Sequence, residues 1–383
     1  MTAPSPRRAA VLGALVADAA ALGLHWLYDQ DRVRELGGAT PEFCDTSAAD
    51  FEGYPAYFAH PTKRPGDVSQ YGEQAITLLQ SLAANNGRYV QRHYEDHFRA
   101  VFGYGGHYVG YIDHPTRDTL DNLARADAEA MAAAKALPFA GSASDQQALF
   151  TKVTANLALF EGDALREGIE AAVRRSQDDD ETVAYALRLA DTLVAAREHV
   201  GAEDEQLPAI AKLPALVAHL CEAPELTAAV DSAVRVTNNT AVAVEAGEVF
   251  STFLRQALAT GDMAAAFRAA LTDGGETFTP LLESVQSRLA DSAIDVVKDI
   301  GMSCQLVYGM PGAAHILLTA GSFSDAVRLN ILAGGDSCGR AMCIGAVAGA
   351  VYGLGGDGGI PQAWIDRLNR RDEVLGLLDA VGL

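Results

Sequence analysis

Four residues, Ala341, Gly345, Gly349 and Gly353, recur at every fourth position in the run RAMCIGAVAGAVYG near the C-terminus. On an α-helix that spacing places all four on one face, leaving a stripe with almost no side-chain bulk. Glycine inside a helix costs about 1 kcal/mol relative to alanine, so the stripe implies a compensating close approach by a second helix. A matching stripe, Ala9, Gly13, Ala17 and Ala21, stands near the N-terminus. The two are expected to touch, joining the ends of the chain in one core and bringing Asp18 toward the loop that carries Asp336.

The rest of the sequence agrees with a helical fold. Residues 72–84, 116–135, 181–198 and 241–258 repeat apolar positions at three and four, with alanine between them, whereas strand-like alternation is nearly absent. At 383 residues and 49% hydrophobic, the chain is long enough for a large core. No linker or shift of composition divides it, so the expectation is one all-α domain over 1–383, a single large orthogonal helix bundle. Its irregular part is 34–70, where Gly37, Gly38 and four prolines fall among Tyr, Phe and His; a loop of this length usually serves as a lid or pocket wall. A second punctuated stretch is 301–312. Two segments, 173–186 and 234–247, share a Val-Arg start followed by small polar residues. Ser176, Asp178, Thr237 and Asn239 suit helix N-caps there, or face a shared cavity.

Charge and cysteine usage exclude several classes. A net charge of −21 without a basic stripe repels nucleic acid and anionic membranes. No apolar run reaches about 18 residues without a charge, so a membrane span is not expected. Arg7-Arg8 followed by AAVLGALVADAAALGL has the layout of a secretory signal, but Asp18 interrupts the run, and a helix of the folded chain is expected instead. Five scattered cysteines form neither a disulfide framework nor a zinc motif, which fits a reducing cytoplasm. The alanine-rich helical surface leaves room for a homo-oligomer.

The chemistry concentrates where the glycine stripe begins, at GGDSCGR, residues 334–340. Asp336 or Ser337 is a good N-cap, and free N–H groups at a helix start attract anions. Arg340 in the first turn opposes the helix dipole, and binding an anionic substrate group would offset that. Cys338 stands where the dipole and Arg340 are expected to lower its pKa, unless it is only a small packed residue. None of the nine histidines falls in a nucleophile motif.

These segments resemble the ADP-ribosylglycohydrolase family. The resemblance lies in GALVADAAALG at 13–23, matching an N-terminal Gly-Ala-x-x-Gly-Asp-Ala helix, and in GGDSCGRAMCIGAVAGAVYG at 334–353, matching a Gly-Gly-Asp-Thr-Asp-Thr loop that opens a small-residue helix. LHWLYD at 24–29, GDVSQYGEQ at 66–74, GYIDHPTRDTL at 110–120, GMSC at 301–304 and AGGDSCGRA at 333–341 resemble a divergent branch that includes the J-type crystallins of jellyfish lenses. The resemblance covers nearly the whole chain and implies the family's helical fold. It also implies a pair of magnesium ions, held by a Thr-Asp-Asp run and by Asp, Asp and Thr of the later loop. Carried over position by position, these fall on Ser69, Gln70 and Tyr71, then on Asp336, Cys338 and Gly339. Magnesium needs near-octahedral oxygen ligands with one or two carboxylates, and only Asp336 supplies one. No cofactor is therefore expected.

What remains is a polar set suited to metal-free hydrolysis or elimination at a glycosidic or other C–N bond of a small-molecule substrate. Asp336, Glu73, Asp18 and, as an outside candidate nucleophile, Cys338 are the catalytic candidates. Arg340, Ser337, Gln70, Tyr71, Asn238, Asp113, His25 and Tyr28 are the candidates for binding. Each also has a structural role open to it: Asp18 as a brace, Asp113 as a turn residue before His114-Pro115, Glu73 as a first-turn acid, and Trp26, Tyr28, Tyr71 and Tyr111 as packing. Two alternatives stand beside the metal-free enzyme: a non-catalytic, crystallin-like binding or structural protein, and a magnesium-dependent ADP-ribosyl hydrolase.

Overall fold

The structure, a computed structural model, describes residues 5–176, 179–198 and 200–383. Their regular structure is twenty-one α-helices and one short 3-10 turn; among the described residues only isolated bridges stand in for strands. The four periodic stretches form helices Gln70–Ala84, His114–Ala136, Asp180–Ala195 and Ala241–Thr260. Each begins where a side chain can accept a free N–H of the first turn: Ser69, Asp113, Asp179 and Thr240.

The caps in the two related segments therefore differ from those expected. Ser176 instead donates to the carbonyl of Val173, Thr237 receives Lys212, and Asn239 receives Arg235; Asp178 lies outside the described residues. Within 34–70 the helix Gln30–Gly37 ends and one short helical turn, Ala48–Phe51, intervenes. The punctuation at 301–312 proves only half irregular, because helix Leu306–Thr319 starts inside it and carries Pro311.

The two small-residue stripes meet. Helix Pro6–Ala21 lies along helix Ser337–Tyr352 so closely that a Cβ on Gly345 would fall 2.1 Å from the carbonyl oxygen of Gly13. A Cβ on Gly13 would fall 2.2 Å from the oxygen of Gly345, and one on Gly349 would fall 2.4 Å from that of Ala9. Gly353 departs from the expected pattern. A Cβ there would meet nothing, and its φ of +71° ends the glycine helix as a C-cap.

Around this contact lies the larger core, which draws on helices from both ends of the chain. A smaller core is formed apart from it by helices Ala143–Leu157, Gly162–Arg174 and Asp180–Ala195, closed by Ala130 and Ala134. Composition gave no sign of this seam, since both cores use the same alanine and leucine. Buried Arg197 fastens the smaller unit, donating to Asp127 at 2.7 Å and to Asp96 at 2.7 Å.

Gly345→Ala is expected to force the two central helices apart and lower stability by about 3 kcal/mol in urea unfolding. Gly376→Ala, in helix Arg371–Ala380 with nothing within 4 Å of the new methyl, is expected to raise it by up to about 1 kcal/mol. Equal effects at the two positions would contradict the packing argument.

Candidate functional site

The glycine helix opens on a left-handed turn that only glycine adopts without strain. Gly334 and Gly335 have φ of +73° and +65°, and a Cβ on Gly335 would fall 2.2 Å from the carbonyl oxygen of Met302. The turn delivers Asp336 to the N-cap, where Oδ1 accepts the N–H of Gly339 at 2.9 Å.

Asp336 stands in a row of extended segments drawn from across the sequence, stitched together by single main-chain bonds. Tyr57 donates to Trp26 at 3.0 Å, Trp26 to Gly335 at 2.8 Å, and Asp336 to Met302 at 2.8 Å. Leu207 then donates to Cys304 at 2.8 Å, and Asn239 to Ala202 at 2.7 Å. The row places Trp26 and Tyr28, Asp336, Cys304, Asp204 and Asn238 side by side along one wall.

Helix Gln70–Ala84 faces this wall. Tyr71 donates its hydroxyl to Oδ2 of Asp336 at 2.6 Å. One turn apart on the same side, Gln70 and Gln74 are both buried, and Gln74 donates to Asp113 at 3.2 Å and to Thr116 at 3.1 Å. Asp113 also caps its own helix, accepting the N–H of Thr116 at 2.9 Å, so its turn role and its place at the site coexist. Burial raises the pKa of Asp336 and of Asp113, and each is further raised or offset by neighbours: Tyr71 and Gly339 lower Asp336, whereas Asp336 itself raises Asp113.

His25 lies beside Asp336, its Nδ1 3.7 Å from Oδ1. That contact is not an ion pair. The same Nδ1 accepts the N–H of Cys338 at 3.2 Å, so it carries no proton, and burial holds the imidazole well below its ordinary pKa. The proton of neutral His25 is thus on Nε2, which has no partner. Trp26 stacks on His25 at 4.4 Å and meets Tyr111 edge-on at 4.9 Å.

Several expected roles change. Cys338 is fully buried, and the cost of a buried thiolate outweighs dipole and guanidinium: its pKa is raised well above the ordinary thiol value. It donates to the main-chain oxygen of Asp18 at 3.6 Å, and so it is a packed residue and no nucleophile. Arg340 is buried too, and it turns back from the helix mouth to Asn330, with Nε 3.0 Å from Oδ1, and to the carbonyl of Gly334. It thereby braces the end of helix Phe323–Ala333 and the glycine turn, leaving only Nη1 without a partner. Glu73 is buried and is held in ion pairs with Lys63 at 3.0 Å and with Arg370. Ser337 lies in the buried mouth with its hydroxyl unpaired.

Asp18 braces the helix that carries Tyr71. Its carboxylate accepts the N–H of Ser69 at 2.7 Å and the hydroxyl of Ser69 at 2.6 Å, and the missing side chain of Gly72 makes room for it. Sequence reasoning also missed three residues. Lys212 is fully buried between Pro208, Val234 and Thr237, and burial pushes its pKa down to about 7. A lone lysine in the apolar run PAIAKLPALV was its legible signal. Asp204 and Cys304 had none beyond the quoted GMSC, because an acid in GAEDEQ reads as surface.

A family model described as ADP-ribosylglycohydrolase matches residues 5–383. The chain belongs to the ADP-ribosylglycohydrolase family. Crystallins J1A and J1B of Tripedalia cystophora are 26% and 25% identical to it over 374 residues, 96% of this chain and 93% of each relative. A solved structure described as an ADP-ribosylglycohydrolase-related protein complex shares the fold with a TM-score of 0.56 at 19% identity, covering 98% of this chain and 96% of the other.

The residues at the family's magnesium positions do not fit two such ions. Ser69 is bonded to Asp18, the Tyr71 hydroxyl occupies one oxygen of Asp336, and Gly339 occupies the other. Cys338 is a neutral thiol turned to a carbonyl. Among the described residues no three of His, Cys, Asp and Glu gather in a way that would hold a metal ion, and no helix is long and apolar enough to cross a membrane.

Burial raises the pKa of Asp18 to about 7, against the pull of its Ser69 bonds. Between about pH 4 and pH 7 the folded chain thus keeps a proton that the unfolded chain has released, and stability falls as pH rises through that window. Relative to Asp18→Asn, the wild-type chain is expected to lose about 2 kcal/mol between pH 5 and pH 7, read from urea unfolding at the two values. A difference independent of pH would mean that Asp18 is ionised throughout.

Proposed function

We propose that the chain is a hydrolase of the ADP-ribosylglycohydrolase fold that works without a magnesium pair, on a glycosidic or other C–N bond of a small polar substrate held at the mouth of the glycine helix. The supporting observation is a group of buried polar atoms without partners, centred on this mouth: both amide atoms of Gln70, Oε1 of Gln74, Nε2 of His25 and Oγ of Ser337. Each buried unpaired group costs about 1–3 kcal/mol, a burden with no structural return, and one that a bound polar ligand relieves. Asp336, its proton affinity raised by burial, is the proposed acid/base group, with Tyr71 holding its second oxygen. Asp113 is the second carboxylate, and Gln70, Tyr28, His25 and Asn238 supply binding groups.

One observation favours a crystallin-like binding role instead: Asp336 and Tyr71 are almost wholly enclosed, at 0% and 1% exposure. Catalysis then requires the loop over 38–69 to open, as a lid does.

Thermal shift with ADP-ribose, nucleosides, small amides and sugar phosphates, each with magnesium and with chelator, is the test. A ligand at a hundredfold excess over its Kd adds about 2.7 kcal/mol, and its shift is expected to be indifferent to chelator. For a substrate found in this way, Asp336→Asn keeps the helix cap and is expected to lower kcat about 100-fold or more. A shift that requires magnesium would restore the family's usual metal chemistry. A ligand turned over equally well by Asp336→Asn would overturn the assignment of the acid/base group.

A further inference from the structure

The loop over 38–69 covers a second space besides the mouth. Its inner wall is the short turn that follows helix Pro6–Ala21, at Leu22, Gly23 and His25, and its outer wall is the loop itself, from Cys44 to Pro65. The walls are stitched along one edge. Thr46 donates its hydroxyl to the carbonyl of Gly23 at 2.5 Å, and a Cβ on Gly23 would fall 2.1 Å from the oxygen of Cys44. Between the walls lies a cavity of about 30 Å³, opening outward past Asp45 and Arg64, which are both exposed. A space of this size holds about two waters, or in their place one ion of a few heavy atoms.

His60 lines this cavity from the loop side. It is only 8% exposed, yet neither of its ring nitrogens has a partner. Burial, with His25 and Lys63 nearby, holds the imidazole well below its ordinary pKa, so the ring is neutral. A neutral imidazole offers one N–H and one bare nitrogen, and in His60 both are unused. His25 stacks on it with the rings 5.5 Å apart. Since Nδ1 of His25 is taken by the N–H of Cys338, its protonated Nε2 is what it has left to offer the cavity.

Two cations stand over the same space. Lys63 spends one N–H on Glu73 at 3.0 Å and keeps two. Among the described residues the guanidinium of Arg64 has no ion-pair partner. Asp45 is the one acid on the lining, and it sits at the exposed rim. Unused N–H donors backed by cations favour an anion, while the bare nitrogen of His60 asks for a donor on that anion. A metal ion suits the site poorly: Lys63 and Arg64 repel it, and among the described residues no third ligand gathers with the two imidazoles.

We propose that this cavity binds a small oxyanion that carries its own proton, hydrogenphosphate or bicarbonate, between His60 and His25 and beneath Lys63 and Arg64. Its oxygens accept from both imidazoles and from the cations, and its O–H donates to the bare nitrogen of His60. His60, Lys63 and Arg64 belong to the loop and His25 to the body of the molecule, so the bound ion ties the loop down. The inference goes beyond the reading of the mouth as a substrate site and shares only His25 with it.

Isothermal titration of the full chain, at neutral pH and constant ionic strength in chloride, tests the site and separates the two ions. Phosphate and bicarbonate are titrated in separate runs, and sulfate serves as the oxyanion without a proton. Saturable single-site binding is expected for phosphate or bicarbonate, at least about tenfold tighter than for sulfate, which leaves the bare nitrogen of His60 unpaired; the tighter of the two names the ion. His60→Phe keeps a ring and removes both nitrogens. It is expected to weaken binding at least about tenfold without lowering the thermal unfolding temperature, because no protein group loses a partner. Arg64→Gln, at the exposed rim, is expected to weaken binding several-fold, and it carries the test should His60→Phe fail to fold.

The absence of saturable binding by either ion, or equal binding of sulfate, would overturn the site. Binding that survives both His60→Phe and Arg64→Gln would overturn it too, and its loss in Gln70→Ala instead would put the ion in the mouth.

Discussion

The contact between Gly13 and Gly345 is the constraint on which the other structural features depend. Two helices that approach until their backbones touch hold the first and the last parts of the chain in one fixed relation. Everything chemical is then hung from their ends. The glycine helix starts at Asp336, and the N-terminal helix runs out into His25 and Trp26. Asp18, one turn before its end, fastens Ser69 and with it the helix of Gln70 and Tyr71. A shift of either helix by a fraction of its diameter would separate Tyr71 from Asp336.

The site combines rigid placement with poor polar satisfaction. Asp336 has a partner on each oxygen, but around it both amide atoms of Gln70, Oε1 of Gln74, Nε2 of His25 and the Ser337 hydroxyl bond to nothing in the protein. Where the ADP-ribosylglycohydrolase pattern has carboxylates for metal, this chain has Gln70, Tyr71 and Cys338. The first keeps its hydrogen-bonding capacity free, the second spends it on Asp336, and the third is sealed in the core. The three positions that the resemblance assigns to metal-binding carboxylates thus have three physical outcomes, and of the three only Gln70 keeps unpaired polar atoms.

Much of the fold was legible because its signals are periodic. Helix spacing at 72–84 or 241–258 and the two stripes of small residues follow from geometry alone. The glycine stripe ended one position early only because Gly353 serves as the cap. Site roles were less legible, since a side chain in the first turn of a helix reads the same whether it points into the mouth or back along the core. Arg340 and Glu73 were misjudged for that reason. Cys338 was misjudged because burial, which sequence does not display, dominates the pKa of a thiol. The row of single-bonded segments was invisible altogether: 26–28, 302–306 and 204–207 are too short to show alternation, and they pair across long stretches of intervening chain.

The joining of the two ends also shapes how the molecule is made. Helix Pro6–Ala21, in which all but the first residues are buried, leaves the ribosome long before its partner exists. At about 5–20 residues per second, tens of seconds pass before residue 345 follows residue 13. Until then an apolar surface meant for a backbone-to-backbone contact has no mate in the nascent chain. The central contact of the finished protein is thus among the last to form, and the newborn chain depends on provisional cover, its own or a chaperone's, for most of its synthesis.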